Sequence, residues 1–188
     1  MPLESNLVLY HCNDEKRCLK FLDSDTYMII SNEDGRWLGQ GMYFWDNYGN
    51  AKYWKKVKQR KDIDKKYLIV KARVSLESIL DLTDIEVCRK INKIWLKYKK
   101  TLGIDSEPEL GKKLNLLYKT FPGFIDQYKV IKISGRYINT PQNGFIEYER
   151  NGTKIEPFLS AKIIYNVKKK EAILERIICE EEAKDEDK

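Results

Sequence analysis

The segment Trp37-Leu38-Gly39-Gln40-Gly41-Met42-Tyr43-Phe44-Trp45 is the densest unusual stretch of the chain. Two glycines two residues apart run directly into MYFW, whose side chains favour a pleated, half-buried surface. A Gly-punctuated turn feeding an aromatic strand is therefore predicted. It is not a dinucleotide-binding fingerprint, in which the glycines follow a strand and open a helix. Two readings of the pair stay open. Either the glycines form a bulge whose aromatics fill the core, or they let the backbone approach a flat or phosphorylated ligand while Tyr43 offers its ring as a stacking platform.

Downstream of this strand, DNYGN at 46–50 opens a helix on which Ala51, Trp54 and Val57 fall three apart, leaving its lysines facing water. Upstream, NLVLYH at 6–11 is a short apolar run of strand formers. Asn13 or Asp14 can then cap a helix through about Leu22, with Cys18, Leu19 and Leu22 inward. TYMII at 26–30 leads into the polar stretch ahead of Trp37, and KYLIVKARV at 66–74 alternates as a central strand does. Thr83 and Glu86 read as a capping box for a helix ending near Gly103, its apolar face formed by Ile85, Cys88, Ile91, Trp95 and Tyr98. Ser106, Pro108 and Glu109 start another helix through Tyr118. The last third reads as strands at 128–138 and 161–167, with FIEYER and TKIEPFL flanking an Asn151-Gly152 hairpin turn between them. The order is an α+β mixture with helices in the middle of the chain and strands at both ends, and it lacks the regular alternation of a doubly wound sheet.

The 188 residues, 42% hydrophobic and 12% aromatic with only 10 Gly and 5 Pro, suffice for one buried core and exclude disordered and collagen-like classes. Residues 1–179 are read as a single domain and 180–188 as a disordered acidic tail. That tail, EEEAKDEDK, holds six acids and two lysines, so residues 1–179 carry 33 bases against 23 acids. The bases concentrate between Lys52 and Lys71 and between Arg89 and Lys100, a distribution that suits either a solvated lysine-rich surface or a face for polyanions. No apolar run reaches bilayer length and the start, MPLESNLVLYH, has no secretory pattern, so a cytoplasmic protein without a membrane partner is expected.

Cys12, Cys18, Cys88 and Cys179 form no CxxC pair and His11 is the chain's single histidine, so neither a zinc site nor a disulfide framework is expected. A Cys-His dyad at 11–12 is a poor arrangement, because strand neighbours point to opposite faces. His11 ends its strand beside a polar turn, where an imidazole can either donate to a ribose hydroxyl or sit as a satisfied edge residue.

Taken together, Leu9-Tyr10-His11, then Gly39-x-Gly41-x-Tyr43-Phe44, then a helix from Asn47 containing Ala51, resemble the ADP-ribosyltransferase superfamily of the H-Y-E kind. Ser31-Asn32, the WLGxGxYFW segment and the run from Val70 to Asp84 are similar to a bacterial group within it, and the likeness covers residues 7–84. The resemblance implies a split β-sandwich of two mostly antiparallel sheets with NAD, as substrate, in a central cleft, and no metal. His11 would bond the adenosine ribose, with Cys12 beside it where the superfamily usually carries glycine. Tyr43 would stack on nicotinamide, and Gly39 and Gly41 would let the chain lie against the dinucleotide. A late-strand glutamate would hold the nicotinamide ribose and stabilise the positive charge that develops as the glycosidic bond breaks. Glu156 is the first candidate, with Glu147 and Glu149 as alternatives. The implied activity is transfer of ADP-ribose to a macromolecular acceptor, RNA, DNA or protein, in a toxin or phage-defence setting that can include an antitoxin. Hydrolysis of NAD by water and a non-catalytic binding module on the same fold are the rival readings.

Overall fold

The computed structural model describes residues 5–32, 35–137 and 160–179. Strand β1 (Asn6–Asp14) runs straight into helix α1 (Glu15–Asp23), which is capped by Asp14, whose carboxylate accepts from the Arg17 amide. Strand β2 (Met42–Trp45) and helix α2 (Tyr48–Lys61, capped by Asn47) follow, then strands β3 (Tyr67–Ser75) and β4 (Ile79–Asp81). Helices α3 (Ile85–Leu102), α4 (Leu110–Thr120) and α5 (Pro122–Gln127) fill the middle of the chain. Strands β5 (Val130–Arg136), β6 (Ala161–Val167) and β7 (Ile173–Ile178) complete an α+β fold. No described helix is long and apolar enough to cross a membrane.

The seven strands among the described residues join one mixed sheet in the order β4-β5-β6-β2-β1-β3-β7, with β4 and β5 parallel and the other pairs antiparallel. The pairing is uneven. β1 pairs with β3 along its whole length, from Asn6 opposite Ser75 to Asp14 opposite Tyr67, whereas β1 and β2 share the single register pair Tyr10 and Trp45. The sheet thus consists of two leaves, β1-β3-β7 and β4-β5-β6-β2, joined at one point.

Each leaf is covered according to the alternation of its strands. Cys18 and Phe21 of α1 pack on Leu9, Val70 and Ala72 of the first leaf, in a core that continues through Met42, Phe44 and Val167 of the second. The opposite face of the first leaf holds Cys12, Tyr67 and Ile69 against Ala51 of α2. Leu80, Ile131 and Ile164 of the second leaf carry α3, α4 and α5 through Ile91, Trp95, Leu114, Leu117 and Phe124.

Three expectations are corrected at this level. In α1 Cys18 and Leu22 face the core as expected, together with Phe21, but Leu19 is left 41% exposed, because a nine-residue helix lays only a narrow stripe on the sheet. The N-cap of α3 is Asp84, which accepts from the Glu86 and Val87 amides, while the Thr83 hydroxyl is engaged by Asp81. In the same helix Ile91, Trp95 and Tyr98 are buried, but Ile85 in its first turn is exposed. The short strand β4, the edge strand β7 and helix α5 escaped the sequence reading. Gly103 ends α3 in the left-handed conformation, as expected. The Asn151-Gly152 hairpin and the acidic tail lie outside the described residues.

Candidate active-site cleft

The turn before β2 is sewn into the protein by its own backbone. Tyr43 Oη donates to the Gly39 carbonyl (2.8 Å) and accepts from the Leu38 amide (3.0 Å). Gln40 N donates to Asn115 Oδ1 of α4 (2.7 Å), Asn166 Nδ2 of β6 donates to the Gly39 carbonyl (3.1 Å), and Lys168 Nζ donates to the Leu38 carbonyl (2.8 Å). Such approach requires glycine. Gly39 and Gly41 have φ of 72° and 148°, and a Cβ on them would stand 2.1 Å from Asn115 Oδ1 and 1.9 Å from Asn166 Oδ1. The freedom of these glycines therefore serves packing against α4 and β6, and neither lines the cleft described below. What the turn delivers to the cleft is Tyr43, whose hydroxyl is held by two hydrogen bonds.

His11 is 7% exposed, and its Nδ1 lies 2.6 Å from the Tyr43 carbonyl, so β1 is tied to β2 just where the leaves part. A carbonyl only accepts, so Nδ1 carries the proton and Nε2 is the acceptor. The Asn13 side-chain amide donates to Nε2 at 3.3 Å, and the imidazole packs obliquely on Phe44. Burial, opposed by the bond to Tyr43 and reinforced by the charges of Lys58 and Arg17, lowers the pKa of His11 from 6.5 to about 4. The ring is neutral at pH 7 with both nitrogens engaged, so a ribose hydroxyl could donate to Nε2 only by displacing the Asn13 amide, the reverse of the donation expected from sequence.

His11 and Tyr43 line one cleft of about 460 Å³ at the junction of the two leaves, within the range of small-molecule sites. One of its walls is a row of rings. Trp37 stacks on Tyr137 (centroids 6.2 Å apart, interplanar angle 14°), Tyr137 meets Trp45 edge to face at 5.9 Å, and Trp45 meets Trp54 at 6.3 Å. Arg17 of α1 and Lys58 of α2 add two cations. Cys12 also lines the cleft, but burial pushes its thiol up to about 11, so it is protonated and no nucleophile at neutral pH.

Sequence reasoning missed Asn13, Arg17, Trp54 and Lys58 as cleft residues. The expectation that every lysine of α2 faces water fails for Lys58, which lies one turn beyond Trp54 and two turns beyond the buried Ala51, on the face turned to the sheet. A half-buried lysine keeps its charged head near water while its stem lies along the apolar face, which is why the spacing and the residue type point to different faces. Glu156, Glu147 and Glu149 lie outside the described residues, and among the described cleft residues none is a carboxylate. Tyr137, which lines the cleft, donates its amide to the Ser160 carbonyl at 2.7 Å, so the chain on either side of 138–159 is anchored at the cleft's rim.

No family model matches the chain, and no solved structure matches it. Over 84 residues, 43% of this chain, it is 39% identical to "Uncharacterized protein MJ0359" of Methanocaldococcus jannaschii. The match spans 39% of the length of that relative.

Proposed function

We propose that the protein is an ADP-ribosyltransferase that binds NAD in the cleft between the leaves and passes ADP-ribose to a macromolecular acceptor. The observation that carries this reading is the convergence of a neutral, oriented His11 and a tethered Tyr43 ring on one aromatic, cationic cleft. A dinucleotide has two stackable bases, ribose hydroxyls and a diphosphate. The cleft offers ring faces, the polar pair of His11 Nε2 and the Asn13 amide, and the charges of Arg17 and Lys58. The single register pair between β1 and β2 is consistent with a split β-sandwich, the finer form of the fold under this reading.

In the reaction, the C1′–N bond of the nicotinamide riboside breaks and its electron pair leaves with the ring nitrogen, which neutralises the pyridinium. Positive charge develops on the ribose, an acceptor heteroatom bonds to C1′, and that atom's proton passes to solvent or to a base. Tyr43 holds the pyridinium ring by its face. His11 fixes the adenosine ribose. A carboxylate favours the charge of the transition state over the ground state, and Glu156 is proposed to supply it.

Incubating the protein with NAD and candidate acceptors while following free nicotinamide tests the reading. Release by the wild type is expected, with Glu156→Gln losing turnover and keeping NAD affinity, and with Glu147→Gln compared beside it. Free ADP-ribose without any labelled macromolecule identifies water as acceptor. No release with any acceptor contradicts the enzyme reading.

A further inference from the structure

We infer that the acceptor is a single-stranded nucleic acid, drawn along the basic face of α2 and held by a base stacked on Trp54; this rests on reading the cleft as the ADP-ribosylating site. Trp54 and Lys58 stand one helical turn apart and both line the cleft, so the helix joins that site to its outer surface. The helix carries Lys52, Lys55, Lys56, Lys58, Arg60 and Lys61 and no acid. Among the described residues, Arg17, Lys52, Lys56, Lys58, Arg60 and Lys61 form no ion pair. By the second leaf, Lys99 and Lys113 are neutralised by Glu107 and Lys112 by Glu109, and the lysines of α3 without an ion pair among the described residues, Lys90, Lys93, Lys97 and Lys100, do not line the cleft. Arg17 and Lys58 line the cleft and the other cations follow on the helix that carries Lys58, and such a concentration of positive charge attracts a polyanion.

The aromatic residues decide which polyanion. In the proposed site Tyr43 stacks on the pyridinium ring, and the adenine of the dinucleotide takes one further ring face. The row from Trp37 through Tyr137 and Trp45 ends on α2 at Trp54, which is 38% exposed next to the 59% exposed Tyr53. Ring faces interleaved with cations match the alternation of base and phosphate in a single strand. A duplex keeps its bases stacked on one another and has no face to offer, and an acidic peptide has no flat face at all.

Fluorescence anisotropy with labelled oligouridylate and oligothymidylate of about 12 nucleotides, and with a duplex of the same length, tests this without NAD present. Single strands should bind at least tenfold more tightly than the duplex, with a log–log salt slope near −2, from about three phosphate contacts. Trp54→Ala should weaken binding at least tenfold and Trp54→Phe should restore most of it, which separates stacking from misfolding. Lys52→Glu with Lys58→Glu should flatten the salt slope, and Lys93→Glu with Lys97→Glu on α3 should leave binding unchanged. A preference between the two oligonucleotides assigns the strand to RNA or DNA. Equal binding of strand and duplex, displacement by oligoglutamate as effective as by an oligonucleotide, or wild-type affinity in Trp54→Ala overturns the inference. Strand binding without nicotinamide release would refute the enzyme reading alone, and release without strand binding would refute this inference alone.

Discussion

His11 couples the protonation of one ring to the integrity of the junction between the leaves. Its folded pKa of about 4 lies below its ordinary 6.5, so between those values the unfolded chain binds a proton that the folded chain refuses. The stability it contributes is complete above pH 6.5 and is lost as pH falls toward 4, by up to about 3 kcal/mol. Urea unfolding of wild type and His11→Gln at a series of pH values checks this: the variant should lack that part of the acid slope, and identical slopes would contradict it. Gly41→Ala should cost about 3 kcal/mol or more, because its Cβ would meet Asn166 and its φ is left-handed, and a melting temperature like the wild type's would contradict the packing described here. Positions 11, 39, 41 and 43 stand out in the sequence because strand ends and paired glycines are local signals. What the glycines touch was not, since Asn115 and Asn166 come from elements far along the chain.

Elements were legible where one strong signal stood alone. Asn47 starts α2 and Gly103 ends α3, each with a conformation or a capping bond that few residues supply. Where two capping residues stood side by side the boundary slipped by one, and the structure favours Asp84 over Thr83 because a carboxylate accepts two amides at once. Asp84→Ala should therefore lower stability by about 1 kcal/mol, with Thr83→Val costing less than half of that, as thermal unfolding of the two variants would show. The reverse order would return the cap to Thr83. β7 was not legible because it is an edge strand with Leu174, Ile177 and Ile178 all more than 40% exposed, so it lacks the alternation that burial on one face imposes. α5 is six residues long, too short to show a helical period.

Across the whole molecule, the division into two leaves explains how residues 32 positions apart come to share a cleft. The sheet opens where β1 and β2 separate, and His11 spans the gap by its bond to the Tyr43 backbone. The α+β class followed from the order of elements. The strand order did not, because it depends on which edges find partners after the chain folds back, and sequence periodicity carries no record of that. The cations are likewise distributed by the fold: α2 brings Lys58 to the cleft, and α3 lies on the second leaf.

Titration of NAD against tryptophan fluorescence tests the placement of the dinucleotide in this cleft most directly, because Trp37, Trp45 and Trp54 all line it. The account predicts saturable quenching, weakened at least tenfold in His11→Ala and in Tyr43→Ala while both variants keep wild-type circular dichroism. Absence of saturable quenching, or unchanged affinity in both variants, would contradict it.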